Sequence, residues 1–194
     1  MVKFKVFIKT MMFVVVVTAM SFVWFGYLLD GKQRAEASIP SLPNFENSSN
    51  QLFLDNVNKC VEYVYFYNKD IKQVNIELLL AQAALESGWG TSRFAKVGKN
   101  LFGIRTYDLT EPHMLPSNSP KKWGVKVFKH ECNSVLYYIQ TLNNHPAYKD
   151  YRRMLDDGID DPFILVETLG AYASDKNYFD KIKRLLKKLK EEYK

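Results

Sequence analysis

"LLLAQAALESGWGTSRF", Leu78 to Phe94, is an apolar helical run that carries one carboxylate, Glu86, and then breaks into Gly88, Trp89 and Gly90. The helix is predicted to begin after Asn75, a good N-cap, with Glu77 in the first turn where the dipole favours an anion. Ile76, Leu79, Leu80, Ala83 and Ala84 form its expected buried stripe. Glu86 follows Leu79 by seven residues, and at about 100° per residue seven steps return to within about 20° of the start. Glu86 is therefore expected to point inward, and Gln82, one turn earlier, shares its direction. A carboxyl group desolvated in this way has a raised pKa and is a protonated donor near neutral pH. The Gly-Trp-Gly break is expected to open a cleft beside it. The ordinary alternative is a solvated helix-end carboxylate; the inward face and the break argue against it.

On either side of this stretch the pattern is mostly helical. Leu52, Val57, Cys60, Val61 and Val64 keep to one face and predict a helix to about Tyr67. Downstream, "NLFGIRTY" and "KKWGVKVFK" alternate β-branched and aromatic residues around the turn-rich "DLTEPHMLPSNSP", which predicts a hairpin with a long loop. A helix in "NSVLYYIQTLNN" is expected to stop at His145, because Pro146 disfavours helix in the residue before it. Asp161 as N-cap and Pro162 at the first helical position predict another. Ile182, Leu185, Leu186 and Leu189 form the stripe of a last helix whose other side is lysine-rich.

The formal charge of +6 is unevenly spread, since Lys3, Lys5 and Lys9 supply half of it ahead of an uncharged segment, "TMMFVVVVTAMSFVWFGYLL", Thr10 to Leu29. At about 1.5 Å per residue that segment is long enough to cross a bilayer core of about 30 Å. The positive-inside rule then puts the N-terminus in the cytoplasm and the remainder outside it. A secreted form cleaved after Ala37 is the competing expectation, because Ala35-Glu36-Ala37 has the form of a cleavage site; the apolar length favours an uncleaved signal-anchor. The expected organisation is a cytoplasmic end and membrane helix over 1–30, a Ser-, Asn- and Pro-rich tether over 31–51, and a folded domain over 52–194. Outside the cytoplasm a disulfide between Cys60 and Cys132 is chemically allowed, and two small core thiols are equally compatible with the sequence.

Other chemistries find little support. No central stripe of Lys and Arg interleaved with aromatics suggests nucleic acid. Asp156, Asp157, Asp160 and Asp161 lack calcium-loop spacing, and His113, His130 and His145 lack zinc spacing, so no metal or other cofactor is expected. There is no G-x-S-x-G elbow. The lysine-rich tail reads as the solvated face of a docked helix.

"LLLAQAALESGWGTSRFAKVGKNLFGIRTY" resembles the glucosaminidase domain of glycoside hydrolase family 73, and the run through "KVFKHECNSVLYYIQTLNNHPAYKDYR" to "YASDKNYFDKI" is most similar to its Bax-like branch. The resemblance covers roughly Leu52 to the C-terminus. It implies a mainly α, lysozyme-like helical domain with a small β-hairpin lobe beside a groove. It also implies hydrolysis of the β-1,4 bond between N-acetylglucosamine and N-acetylmuramic acid in peptidoglycan, the expected partner, with Glu86 as general acid. The Y-A-S-D-x-x-Y segment implies a tyrosine at the groove, Tyr172 in preference to Tyr178. Asn100, Leu101, Phe102 and Gly103 match the segment leading into the hairpin, so Asn100 and Phe102, with Gln82 and Trp89, are expected to shape the glycan site. The resemblance implies a proposed second acid from the hairpin lobe, whose position varies in the family and where this chain aligns poorly. Glu111 and Asp108 are the candidates, Glu111 preferred, and attack by the substrate's own acetamido group is the alternative. A non-catalytic wall-glycan-binding protein, and a lytic transglycosylase or muramidase acting on the neighbouring bond, remain rival readings.

Overall fold

In the computed structural model, which describes residues 39–46, 48–117, 122–172 and 175–193, the first helix, α1, runs Asn50–Tyr67. Ser49 caps it by accepting from the Leu52 N–H at 3.1 Å. Helix α2, Ile76–Ser87, starts at the predicted cap, with Asn75 Oδ1 accepting from the Leu78 N–H at 2.8 Å. Residues from Leu42 onward form one unit. Within it α1 packs chiefly on α4, Glu131–Asn144, and α2 on α7, Tyr178–Glu192.

The one-sided stripe expected of α2 is broader in the structure. Leu78, Leu79, Ala81, Gln82, Ala83, Ala84 and Ser87 are all buried, because α1 and α7 both cover this helix and its alanines allow close approach. Ile76, predicted inside, is 40 % exposed at the first turn. α2 is thus the central helix, and Gln82 is a fully buried amide within it.

The hairpin lobe departs from expectation in its middle. Strands β1, Arg105–Thr106, and β3, Gly124–Lys126, pair antiparallel as predicted. A further strand, β2, His113–Met114, pairs with the other edge of β3 and gives the order β1-β3-β2. Two residues inside a Pro-rich loop carry too little alternation to announce a strand. Other elements unread from the pattern are α3, Arg93–Lys96; a 3₁₀ turn, Pro146–Tyr148; and the two-turn α5, Lys149–Asp156. Asp161 and Pro162 do start a helix, α6, but after Leu165 it tightens into a 3₁₀ turn, Val166–Leu169. α7 buries Ile182, Leu186 and Leu189 as predicted, with Leu185 half-buried.

The tether predicted to reach Gln51 joins the folded unit sooner. Pro43 is buried and its carbonyl lies 3.1 Å from His130 Nε2, Asn56 Nδ2 donates to the Asn44 carbonyl at 3.1 Å, and the Phe45 ring meets His130 edge-on. Cys60 and Cys132 are bonded, tying α1 to α4 across 72 residues of sequence. The predicted membrane segment, Thr10 to Leu29, and the cleavage site after Ala37 lie outside the described residues. Among the described residues, no helix is long and apolar enough to cross a membrane.

Candidate active site

Glu86 stands in the last turn of α2, and the chain leaves that turn through three successive left-handed residues: Gly88 at φ 57°, Trp89 at 57° and Gly90 at 75°. Gly88 and Trp89 turn their N–H groups back onto the carbonyls of Leu85 and Ala84, at 3.4 and 2.8 Å, closing the helix end. Left-handed backbone costs a residue with a Cβ about 1–2 kcal/mol, which the packing of the Trp89 ring on Phe53 and Tyr193 helps to offset. Trp89 thus anchors the break to the core.

The abrupt stop leaves Glu86 half-buried, facing the segment that leads into the hairpin. Gly103 is exposed, adopts φ 62°, and comes so close that a Cβ on it would lie 3.7 Å from Glu86 Oε2. Burial pushes the Glu86 carboxyl above its ordinary pKa. A hydrogen bond from Tyr178 and the charge of Lys181 pull the other way without reversing the shift. Lys181 is itself held by Asp175 at 2.6 Å.

Four of the predicted site residues join Glu86 or support the cluster around it. Gln82 Nε2 donates to Tyr178 Oη at 2.7 Å, and the charge of the neighbouring Glu86 adds to burial in raising the Tyr178 pKa. The Tyr172 ring stacks on Tyr178 with centroids 5.8 Å apart, and its hydroxyl donates to the Phe102 carbonyl at 2.9 Å. Burial raises the pKa of both phenols, so both stay protonated at neutral pH. The Phe102 ring is buried and stacks on Tyr138 at 4.2 Å.

Asn100, expected at the groove wall, is buried and fully engaged as a brace. Its Nδ2 donates to the carbonyls of Ile104 and Lys126, at 2.9 and 2.8 Å, and its Oδ1 accepts from the N–H groups of Ile104 and Phe102, at 3.0 and 3.3 Å. It joins the N-L-F-G segment to β3 and has no donor left for a ligand.

In the hairpin, Glu111 Oε2 accepts from Lys126 Nζ at 2.6 Å and from the Thr106 hydroxyl at 3.0 Å. These bonds hold its carboxyl below the usual carboxylate range, so a window of pH exists in which Glu111 is anionic while Glu86 retains its proton. Asp108 occupies the turn, where its Oδ1 accepts from the Thr110 N–H and hydroxyl at 2.9 and 2.6 Å, which lowers its pKa as well. Three of the four aspartates in this stretch have structural employment. Asp156 pairs with Lys72 at 3.0 Å, Asp160 Oδ1 accepts from Asn75 at 2.8 Å, and Asp161 caps α6. Among the described residues, the ligand atoms close enough together to hold a metal belong to Cys60, His130 and Cys132, whose two sulfurs are bonded to each other.

Sequence reasoning missed Tyr138, whose hydroxyl donates to Gln82 Oε1. An aromatic on the buried stripe of α4 looks like any core residue, and only its polar tip distinguishes it. Lys126 and Thr106, which fix Glu111, were also unread, since their pairing depends on the register of β1 with β3. A cavity of about 440 Å³ opens elsewhere, between α1, the start of α2 and the end of α7, and is lined by neither Glu86 nor Glu111.

Comparison with known proteins adds the family context. Residues 65–191 match the glucosaminidase family, described as mannosyl-glycoprotein endo-beta-N-acetylglucosaminidase. The chain is similar to Protein bax of Escherichia coli, at 35% identity over 91 residues, covering 45% of this chain and 31% of that protein. It is similar to Exo-glucosaminidase LytG of Bacillus subtilis, at 24% over 152 residues, covering 74% and 52% respectively. The chain therefore spans between about a third and a half of those relatives' lengths. It shares its fold with the catalytic domain of the autolysin Auto from Listeria monocytogenes, with a TM-score of 0.56 at 24% identity over 84% of this chain and 94% of that one.

Proposed function

The chain belongs to the glucosaminidase family, and from that premise we propose that it is a peptidoglycan hydrolase cleaving the β-1,4 bond between N-acetylglucosamine and N-acetylmuramic acid. The observation that carries this reading is Glu86, a half-buried carboxyl with a raised pKa beside the exposed backbone of Gly103. Glycosidic cleavage needs one carboxylic acid to protonate the leaving oxygen. Glu86 gives its proton to that oxygen as the bond to the anomeric carbon breaks. Its new charge is then met by the Tyr178 hydroxyl and by Lys181. Water completes the reaction, its hydroxyl passing to the anomeric carbon and its remaining proton to a base.

Glu111 has the chemistry of that base, since Lys126 and Thr106 keep it ionised. The substrate acetamido group is the other route. Tyr172 is assigned to the groove, where it holds the Phe102 carbonyl and packs on Tyr178. Asp108 is assigned to the rim. Asn100, Phe102 and Trp89 support the walls through the contacts described above. We further assign 1–30 to a membrane anchor, on the length of the uncharged run from Thr10 to Leu29, with the catalytic domain outside the cytoplasm and its start moved back to Leu42. The lysozyme-like label fits a mainly helical domain that carries a small sheet at its side.

The test is to incubate the protein with peptidoglycan and identify new chain ends by mass spectrometry. Reducing N-acetylglucosamine ends are expected. Anhydromuramic ends would mean a transglycosylase, reducing N-acetylmuramic acid ends a muramidase, and binding without new ends a glycan-binding protein.

A further inference from the structure

Gln82 is 0 % exposed, and the two ends of its amide bond to two different tyrosines. Nε2 donates to Tyr178 Oη at 2.7 Å, while Oε1 accepts from the hydroxyl of Tyr138, a residue 2 % exposed on α4. The Tyr178 hydroxyl, having accepted from Gln82, has one hydrogen left to give, and the acidic group beside it is Glu86, one turn beyond Gln82 on α2. The donor chain runs Tyr138 to Gln82 to Tyr178 and leaves the Tyr178 hydrogen free for Glu86.

Amide orientation is fixed by the bonds around it, and the two orientations of Gln82 are unequal. In the orientation seen, the Tyr138 hydrogen has its acceptor and the Tyr178 hydrogen is left for the carboxylate. With the amide reversed, Oε1 would take the Tyr178 hydrogen, Glu86 would lose its donor, and the Tyr138 hydrogen would be stranded inside the core. A stranded buried donor is costly, so the buried Tyr138 hydroxyl enforces the first arrangement.

We propose that Tyr138 and Gln82 are positioning residues of the reaction, fixing the direction of a buried hydrogen-bond chain so that the Tyr178 hydroxyl donates to Glu86. This rests on Glu86 being the acid. The groups facing Glu86 from other elements are Tyr178 and Lys181 on α7, Asp175 through its pairing with Lys181, Tyr172 before α7, and the uncharged Gly103 loop. As Glu86 releases its proton, the Tyr178 hydrogen bond strengthens onto the new anion. Tyr138→Phe keeps the ring that stacks on Phe102 but frees the amide to reverse, so the anion loses its donor and Glu86 holds its proton to higher pH.

The experiment is a ¹³C NMR titration of the Glu86 carboxyl in the full-length chain, assigned by its loss in Glu86→Gln, for wild type, Tyr138→Phe, Tyr178→Phe and the double variant. The alkaline limb of kcat/KM on peptidoglycan is measured in parallel. Tyr138→Phe is expected to move the Glu86 titration and the alkaline limb to higher pH and to lower kcat by about tenfold or less, with KM unchanged, because the hydroxyl is remote from glycan. Tyr178→Phe is expected to shift the titration in the same direction. In the double variant Tyr138→Phe should add nothing, since its effect passes through Tyr178.

An unmoved Glu86 titration in Tyr138→Phe, or a Tyr138 effect that persists in the Tyr178→Phe background, would overturn the proposal. Absence of cleavage by wild type would remove the hydrolase assignment, while the titrations still decide the hydrogen-bond chain. Should Tyr138→Phe fail to fold, the wild type supplies the decision. Gln82 amide protons should show nuclear Overhauser contacts to the Tyr178 ring, and stronger contacts to the Tyr138 ring would refute the orientation.

Discussion

Removing the Cys60–Cys132 bond by Cys60→Ala with Cys132→Ala should be among the most damaging changes distant from Glu86. The two residues are 72 apart in sequence. Closing a loop of that length removes about 15 cal/mol/K of entropy from the unfolded chain, or about 4.4 kcal/mol at 25 °C. Cys60 and Cys132 are 0 % and 2 % exposed, so truncation also leaves small voids between α1 and α4, adding about 1 kcal/mol in the same direction; residual order in the unfolded chain offsets part of the total. We expect a net loss of about 4 kcal/mol, or a fall in Tm of roughly 8–16 °C for a chain of this size. Urea unfolding of the full-length oxidised protein and the double variant, followed by circular dichroism, measures it. The urea dependence should also steepen in the variant, because its unfolded state expands. A loss below about 1 kcal/mol with an unchanged slope would refute the reasoning. α4 also carries Tyr138, so the disulfide helps to hold the element that feeds the hydrogen-bond chain to Glu86.

The remaining predictions concern the site and its brace. Asn100→Ala removes four hydrogen bonds to backbone inside the domain and should cost about 2–4 kcal/mol in the same unfolding assay; a cost under about 1 kcal/mol would mean that the hairpin does not depend on this brace. Glu86 has a raised pKa, so the folded state binds its proton more tightly than the unfolded state, and stability falls as pH rises from the unfolded pKa through the folded one. Glu86→Gln should therefore be more stable than wild type above that window, with an advantage that grows across it and then levels off; a difference independent of pH would refute the shift. Glu111 has the opposite sign: its pKa is depressed by Lys126 and then Thr106, so Lys126→Met should move the acid limb of the rate profile to higher pH if Glu111 is the base. Activity of Glu111→Gln within about tenfold of wild type would exclude Glu111 as the base and direct attention to the acetamido route, since a lost general base costs about 10²–10⁴-fold.

Much of the helical frame was legible because its signals are local. Asn75 and Asp161 announce helix starts, Pro146 a stop, and the α7 stripe its own buried face. The inward direction of Glu86 followed from helical phase alone, and the Gly-Trp-Gly break from the need for left-handed backbone. What escaped is set by tertiary contact. Strand β2 exists because β3 offers it an edge, and α2 is buried widely because two other helices cover it. The side-chain roles divide the same way. Asn100 and Phe102 were singled out for the glycan site, and only packing reveals that one braces backbone and the other stacks on Tyr138. Tyr138 itself carries no sequence mark that separates it from an ordinary core aromatic.

The central claim is that Glu86 supplies the proton for glycosidic cleavage. Its most direct test compares the rate at which wild type and Glu86→Gln release new reducing ends from purified peptidoglycan, with both shown to be folded and bound to the wall. The variant keeps the shape and loses the acid, so its rate should fall by about 10²–10⁴-fold while binding persists. Turnover by Glu86→Gln within tenfold of wild type would contradict the account.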